Sequence, residues 1–234
     1  MRKLLVALLV LAGLLLLADR GLAAVAERTV ASELQAAAGL AAEPDVDLGS
    51  VPFLSQAVRG QYDRIEVGST RVPAGDLVLD RLDAVLLGAQ VPLGEALSGA
   101  VTRVPVEQVT ARALVGYDQL EQQSGDRRLS FAPDAGRLRV TGTVEVFGKE
   151  LSAVAVSRLT VVDGDLLVTA ESFEVGNDLA DTLLTGALEG RFDLRVPVEG
   201  LPYGLAVDDV EVAADGVVVL ASATDTVLEP PPAA

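Results

Sequence analysis

Cysteine and histidine are both absent from the 234 residues, and tryptophan is absent as well. Without the first two there are no disulfides, thiolate nucleophiles, imidazole bases or usual zinc and copper ligands, so most hydrolytic and redox mechanisms lack a necessary part. Lysine occurs only at Lys3 and Lys149, and the formal net charge is −16. Nucleic-acid binding depends on neutralising phosphates, so this balance argues against it, and against docking on anionic lipid head groups by charge. Any membrane contact has to be apolar or covalent in origin.

Aromatic residues make up only 3% of the chain although half of it is hydrophobic. The apolar share is carried by Ala, Val and Leu, so a sizeable core is available but is built from small side chains.

The chain opens with Arg2 and Lys3, an unbroken apolar run from Leu4 to Ala18, and then Asp19 and Arg20. That order is the pattern of an export signal. As a helix the run reaches ~22 Å, short of the ~30 Å hydrocarbon core, which favours a signal peptide over a stable anchor. Ala24-Val25-Ala26 has the small-x-small form of a cleavage site, with Glu27 as the new N-terminus, although the same residues also fit the start of a helix. No Cys follows the run, so a lipoprotein anchor is excluded. The sequence thus divides into a leader or anchor over 1–26, a single domain over 27–228, and a Pro-rich tail over 229–234 that has no means of packing.

Ala26, Val30, Leu34, Ala37, Ala38 and Ala41 recur at helical steps, and Gly39 lies near the end of that helix. Pro52 then opens a short helix carrying Phe53, Leu54, Ala57 and Val58, which Gly60 stops. The runs Gln61 to Val72 and Asp76 to Val91 read as a hairpin. From Pro105, the residues Val106, Val109, Ala113, Leu114, Tyr117 and Leu120 fall on one stripe and predict a second long amphipathic helix. Beyond it the pattern is almost entirely strand. Leu138, Val140, Gly142, Val144 and Val146 alternate with Arg139, Thr141, Thr143 and Glu145, as do Phe192, Leu194, Val196 and Val198 with their neighbours. Asp163-Gly164-Asp165 and Asp215-Gly216 are tight-turn signals, so antiparallel meanders are implied, interrupted by one helix-like piece, Leu179 to Leu188. The fold class is α+β.

The close carboxylate groupings are Asp45 with Asp47, Asp163 with Asp165, and Asp208 with Asp209. All read as solvated turn or edge acids, and none has the spacing of a calcium loop, so no metal is expected. Ser55 and Ser98 lack the Gly-x-Ser-x-Gly turn and any histidine, and a Ser–Lys dyad would have to recruit Lys149 from a hairpin turn. No phosphate-binding glycine loop follows a strand, so no nucleotide cofactor is expected. The chain is not read as an enzyme.

What remains is apolar geometry. Inward strand positions often carry small residues, with Gly142, Ala153 and Ala155 the clearest. Two readings stay open: a helix packs closely there, or the gap holds a ligand's acyl chain.

The order Ala18-Asp19-Arg20-Gly21, Ala26-Glu27-Arg28, Pro44-Asp45-Val46, Val51-Pro52-Phe53-Leu54-Ser55-Gln56, Gly60-Gln61-Tyr62 and Asp63-Arg64, with Leu201-Pro202-Tyr203-Gly204-Leu205 and Asp215-Gly216-Val217 later, resembles the LmeA-like family of actinobacterial cell-envelope proteins. The likeness runs over nearly the whole chain, but its motifs are structural punctuation and apolar spacing. That family is similar to the tubular lipid-binding proteins, in which a strongly curved antiparallel sheet wraps a long amphipathic helix around a lipid-filled groove. Its named member binds phospholipid and supports synthesis of mannan-containing glycolipids.

The resemblance implies an extracytoplasmic, secreted or periplasmic, membrane-associated protein. It would bind or transfer phospholipid or another acyl lipid at the outer face of the membrane. Candidate groove residues are Val109, Ala113, Leu114 and Tyr117 on the helix, Val140, Gly142, Val144, Ala153 and Ala155 on strands, and Phe53 and Leu54 on a short helix closing one end. The alternatives are a ligand-free structural module of the cell envelope and an enzyme acting on envelope lipids.

Overall fold

The computed structural model describes residues 2–49, 51–74, 77–98, 101–123, 129–146, 149–162, 165–175, 194–196, 201 and 204–229. The expected helix over 179–188 and the Pro-rich tail lie outside these.

A single helix, α1 (Arg2–Ala38), takes in both the apolar leader and the amphipathic stretch after it. Nothing between Ala18 and Ala26 breaks a helix, so the backbone runs on through the small-x-small motif. The helix stops at Gly39, whose φ of +61° is one that side chains rarely adopt, and the Leu40 N–H returns to the Gln35 carbonyl at 3.0 Å. The face it buries is Asp19, Ala23 and Ala31, whereas Ala37 and Ala38 are exposed and Ala41 lies beyond the helix.

Next come β1 (Asp45–Asp47), α2 (Phe53–Arg59), β2 (Gln61–Ala74), β3 (Leu77–Gln90) and α3 (Leu93–Ser98). Helix α2 and the β2/β3 pair stand where the proline, glycine and alternation signals put them. Gly60 ends α2 with φ +67°, and its N–H reaches the Ala57 carbonyl.

The segment after Pro105 departs from expectation. Val104–Gly116 is a strand, β4, and only Tyr117–Gln123, α4, is helical. Val106 and Val109 are both buried, and their three-residue spacing imitates a helical stripe. Val104, Val106, Val109, Thr110 and Val115 are all β-branched, which disfavours helix and suits a pleated surface. With β3 on one side and a later strand on the other, β4 satisfies its backbone groups laterally. Val109, Ala113 and Leu114 are therefore strand residues, and of the helical groove candidates only Tyr117 sits on a helix.

The remainder is strand: β5 (Ser130–Asp134), β6 (Arg137–Val146), β7 (Lys149–Val162), β8 (Asp165–Val175), β9 (Leu194–Val196), β10 (Ala206–Val212) and β11 (Gly216–Leu228). The six-stranded sheet has the order β1-β2-β3-β4-β11-β10, and the five-stranded sheet runs β5-β6-β7-β8-β9 with every pairing antiparallel.

By its internal contacts the chain forms two compact units. The first comprises Met1–Arg71, Leu82–Ala111 and Ala223–Ala234, and in it α1 lies against β1 and α2. The second comprises Val72–Arg81 and Arg112–Ser222 and holds the whole five-stranded sheet. Its core is Leu138, Val207, Val210 and Val217, with Tyr117, Leu120, Phe131, Val140, Leu159 and Val161 among the residues packed against it.

Candidate functional site

In the second unit, register decides which residues share a face. Val140 pairs with Ala155, Gly142 with Ala153, and Val144 with Leu151. Directly opposed residues of an antiparallel pair lie on the same side. All five strand candidates, Val140, Gly142, Val144, Ala153 and Ala155, therefore belong to one face. That face is continued by Phe131 opposite Val140 and by Phe173 opposite Ala155. Arg139, Thr141, Thr143 and Ser152 belong to the other face, together with Val154 and the buried Val156.

The apolar face is covered unevenly. At one end Leu138 is 6% exposed beneath Val207, Val210 and Val217, and Ser157, opposite Leu138, is buried as well. Tyr117 helps close this end, its hydroxyl donating to the Ala213 carbonyl at 2.6 Å; burial and the nearby Asp215 charge raise its pKa. Toward the other end Gly142, Ala153 and Ala155 are only half-buried. At Gly142 the small residue serves closeness, since a Cβ there would lie 2.7 Å from Leu129 Cδ2. The Leu129 side chain already occupies that space. Ala113 and Leu114, on β4, are half-buried.

The first unit holds the other candidates, Val109, Phe53 and Leu54. Val109 is a buried core residue of β4. Phe53 is buried against Tyr62, with ring centroids 6.3 Å apart, whereas Leu54 is partly exposed. Both owe their positions to a residue that the sequence places at the end of the leader and in the family motif Ala18–Gly21, with no role in α2. Asp19 is 3% exposed, and its two carboxylate oxygens accept the backbone N–H groups of Phe53 at 3.0 Å and Leu54 at 2.8 Å. Pro52, which precedes α2, makes no side-chain cap, so the carboxylate from α1 caps α2 instead. The Leu54 amide, more than the Phe53 amide and Arg20, holds the Asp19 carboxyl below the usual range against the opposing effect of burial. One turn and two turns further along α1 lie Ala23, buried, and Glu27, which accepts the Leu48 N–H at 3.3 Å. An acid directly after an apolar run, eight residues before another at helical spacing, was the available signal.

Several other polar groups among the described residues have structural partners. Asp47 accepts the Gly49 N–H at 2.6 Å and Asp209 the Val210 N–H at 2.8 Å. Ser55 and Ser98 donate to the Pro52 and Glu95 carbonyls, as helix-terminal serines do. Gln56, 1% exposed, accepts the Asp63 N–H at 2.9 Å. On the second unit's sheet Glu171 is held by Arg158 at 2.6 Å and Arg137 at 3.4 Å, and Arg158 foremost lowers its pKa.

Fold and surface together define an α+β protein whose antiparallel sheet presents a small-residue apolar face, half-covered over part of its length, and whose N-terminal helix is long and apolar enough to cross a membrane. The chain matches the family model described as LmeA-like phospholipid-binding over residues 17–222, and it belongs to that family. The family is a lipid-binding one rather than a family of enzymes. No individually curated protein matches the chain.

Proposed function

We propose that the protein holds the acyl part of a phospholipid on the apolar face of the five-stranded sheet, outside the cytoplasm, in the service of cell-envelope lipid or lipoglycan metabolism. The observation that carries this reading is the register of Val140, Gly142, Ala153 and Ala155. It makes one continuous apolar surface that runs on past the packed core at Leu138 while its members stay half-buried. Membership of a phospholipid-binding family supports an acyl lipid as the occupant. The export-type order of Arg2, Lys3 and the apolar run supports a location beyond the membrane.

The mechanism is passive. About eight to ten sheltered methylenes at ~0.8 kcal/mol each contribute roughly 6–8 kcal/mol with no charge contact, which suits an acidic protein. Ala153 and Ala155 leave room above the sheet, Val140 and Tyr117 bound that room at the core end, and Leu129 bounds it beside Gly142. The polar partners of Ser55, Ser98, Asp47 and Asp209 support binding without catalysis.

Solvent extraction of the purified full-length chain, followed by mass spectrometry of the extract, tests the proposal. Phospholipid in stoichiometric amount is the expected result. A lipid-free protein that also takes up no labelled phospholipid from vesicles would instead be a structural module of the envelope.

A further inference from the structure

We infer that the leader is not removed: α1 stays whole, with Leu4–Ala18 as a permanent membrane anchor and its continuation from Asp19 onward as part of the folded first unit. The inference rests on the extracytoplasmic location proposed above and is independent of lipid binding.

The argument begins with what a cut after Ala26 takes away. Asp19 supplies both oxygens that receive the Phe53 and Leu54 amides, and Pro52 offers α2 no substitute. Removing residues 1–26 leaves those donors without protein partners, and it removes Ala23, a buried member of the same helix face. Glu27, which binds the Leu48 amide from within a continuous helix, would become a free and fraying terminus. The small-x-small motif itself is helical, with Ala24 and Ala26 half-buried. The family match begins at residue 17, inside the leader, so the family pattern includes the Asp19 turn.

The anchor also finds its length in the structure. Leu4–Ala18 alone reaches ~22 Å against a ~30 Å hydrocarbon core, a mismatch that bilayers meet by local thinning and by apolar groups flanking the span. Such groups are present. Leu54 lies at the level of Asp19, to which its amide is bonded, and it is 39% exposed. Val51 and Val58 are exposed at 59% and 72%, and Leu22 and Val25 on α1 are exposed too. Large apolar side chains left bare around the end of an apolar helix suit the outer-leaflet interface, where α2 would lie as a collar. Arg2 and Lys3 at the other end match the positive-inside rule.

The test uses the full chain with a C-terminal tag, expressed in a bacterium with intact export. Intact-mass analysis should return an N-terminus at or next to Met1, and the protein should stay in the membrane fraction through an alkaline carbonate wash. A mature chain beginning at Glu27, or release of the intact chain by carbonate, overturns the inference. Protease added outside spheroplasts should remove the tag; a protected tag would sink the extracytoplasmic reading, a failure distinct from leader cleavage.

The docking is tested separately by hydrogen exchange on full-length Asp19→Asn and on a chain released at Glu27 from a cleavable leader. Both should show faster exchange at the Phe53 and Leu54 amides than the parent. Unchanged protection in Asp19→Asn overturns the cap whether or not the shortened chain folds. A natively exported chain that begins at Glu27 and carries phospholipid would end the anchor while leaving the lipid proposal standing.

Discussion

Val140 on β6 stands directly opposite Ala155 on β7, and Ala155 in turn stands opposite Phe173 on β8. The middle position of this row is therefore the smallest. Ala155 therefore stands lower above the sheet than Val140, whose Cβ lies about 5 Å away in a directly opposed pair. The pairing of Gly142 with Ala153 repeats the arrangement one step along, where Leu129 reaches in.

Ala155→Trp puts a ring at this lower position. If an acyl chain lies there, the substitution displaces several methylenes at ~0.8 kcal/mol each, so phospholipid recovered by extraction should fall severalfold while circular dichroism is unchanged. Ser152→Trp, at an exposed position of the opposite face, should leave the lipid load intact. Equal load in the two variants contradicts the assignment of the face. A loss of stability of about 1–3 kcal/mol in Ala155→Trp with unaltered lipid would mean that the position is already packed.

Leu138→Ala addresses the covered end. Leu138 is buried among Val207, Val210 and Val217, so the truncation should cost about 2–5 kcal/mol, read as a lower denaturation midpoint of the second unit. A change below about 1 kcal/mol would show that the cluster rearranges to fill the void.

Gly60→Ala places a side chain at φ +67°, and its Cβ would lie 3.0 Å from the Val91 carbonyl oxygen. The left-handed conformation alone costs about 1–2 kcal/mol in a residue other than glycine, and the Val91 N–H bond to the Gly60 carbonyl at 2.9 Å leaves the contact little freedom to relax. A lower melting temperature is expected. A neutral result would mean that the turn after α2 can shift.

Acid sensitivity follows from Glu171. Its folded-state pKa is lowered, first by Arg158, so the stability it contributes is present above the ordinary glutamate range and is lost as the pH falls through the depressed folded value. Glu171→Gln should remove part of the pH dependence on the acid limb of a stability profile and leave the neutral region nearly as it was, since exposed pairs contribute little there. A parallel acid limb in the variant would refute the contribution.

Much of the fold is legible in the residues. The hairpin β2/β3, the short helix between Pro52 and Gly60, and the alternating strand β6 follow from local rules of proline, glycine and two-residue periodicity. The family resemblance at Val51-Pro52-Phe53-Leu54 and Gly60-Gln61-Tyr62 leads to the same family as the match over 17–222. The segment from Val104 to Gly116 was misread because Val106 and Val109 are three residues apart and because hydrogen-bonding partners on two other strands leave no mark in the local sequence. With it, Val109, Ala113 and Leu114 moved from a helix to a strand, and the groove candidates fell into two units.

Composition and periodicity alone determined that this is an acidic α+β chain that opens on an apolar run and has no thiol or imidazole chemistry, because those properties depend only on which residues are present and on their order along the chain. Tertiary structure decided that Gly142 is filled by Leu129, that Ala153 and Ala155 share the face of Val140, and that Asp19 caps a helix more than thirty residues away. Each of those facts depends on register or on a long-range hydrogen bond, and neither can be set until distant parts of the backbone have met.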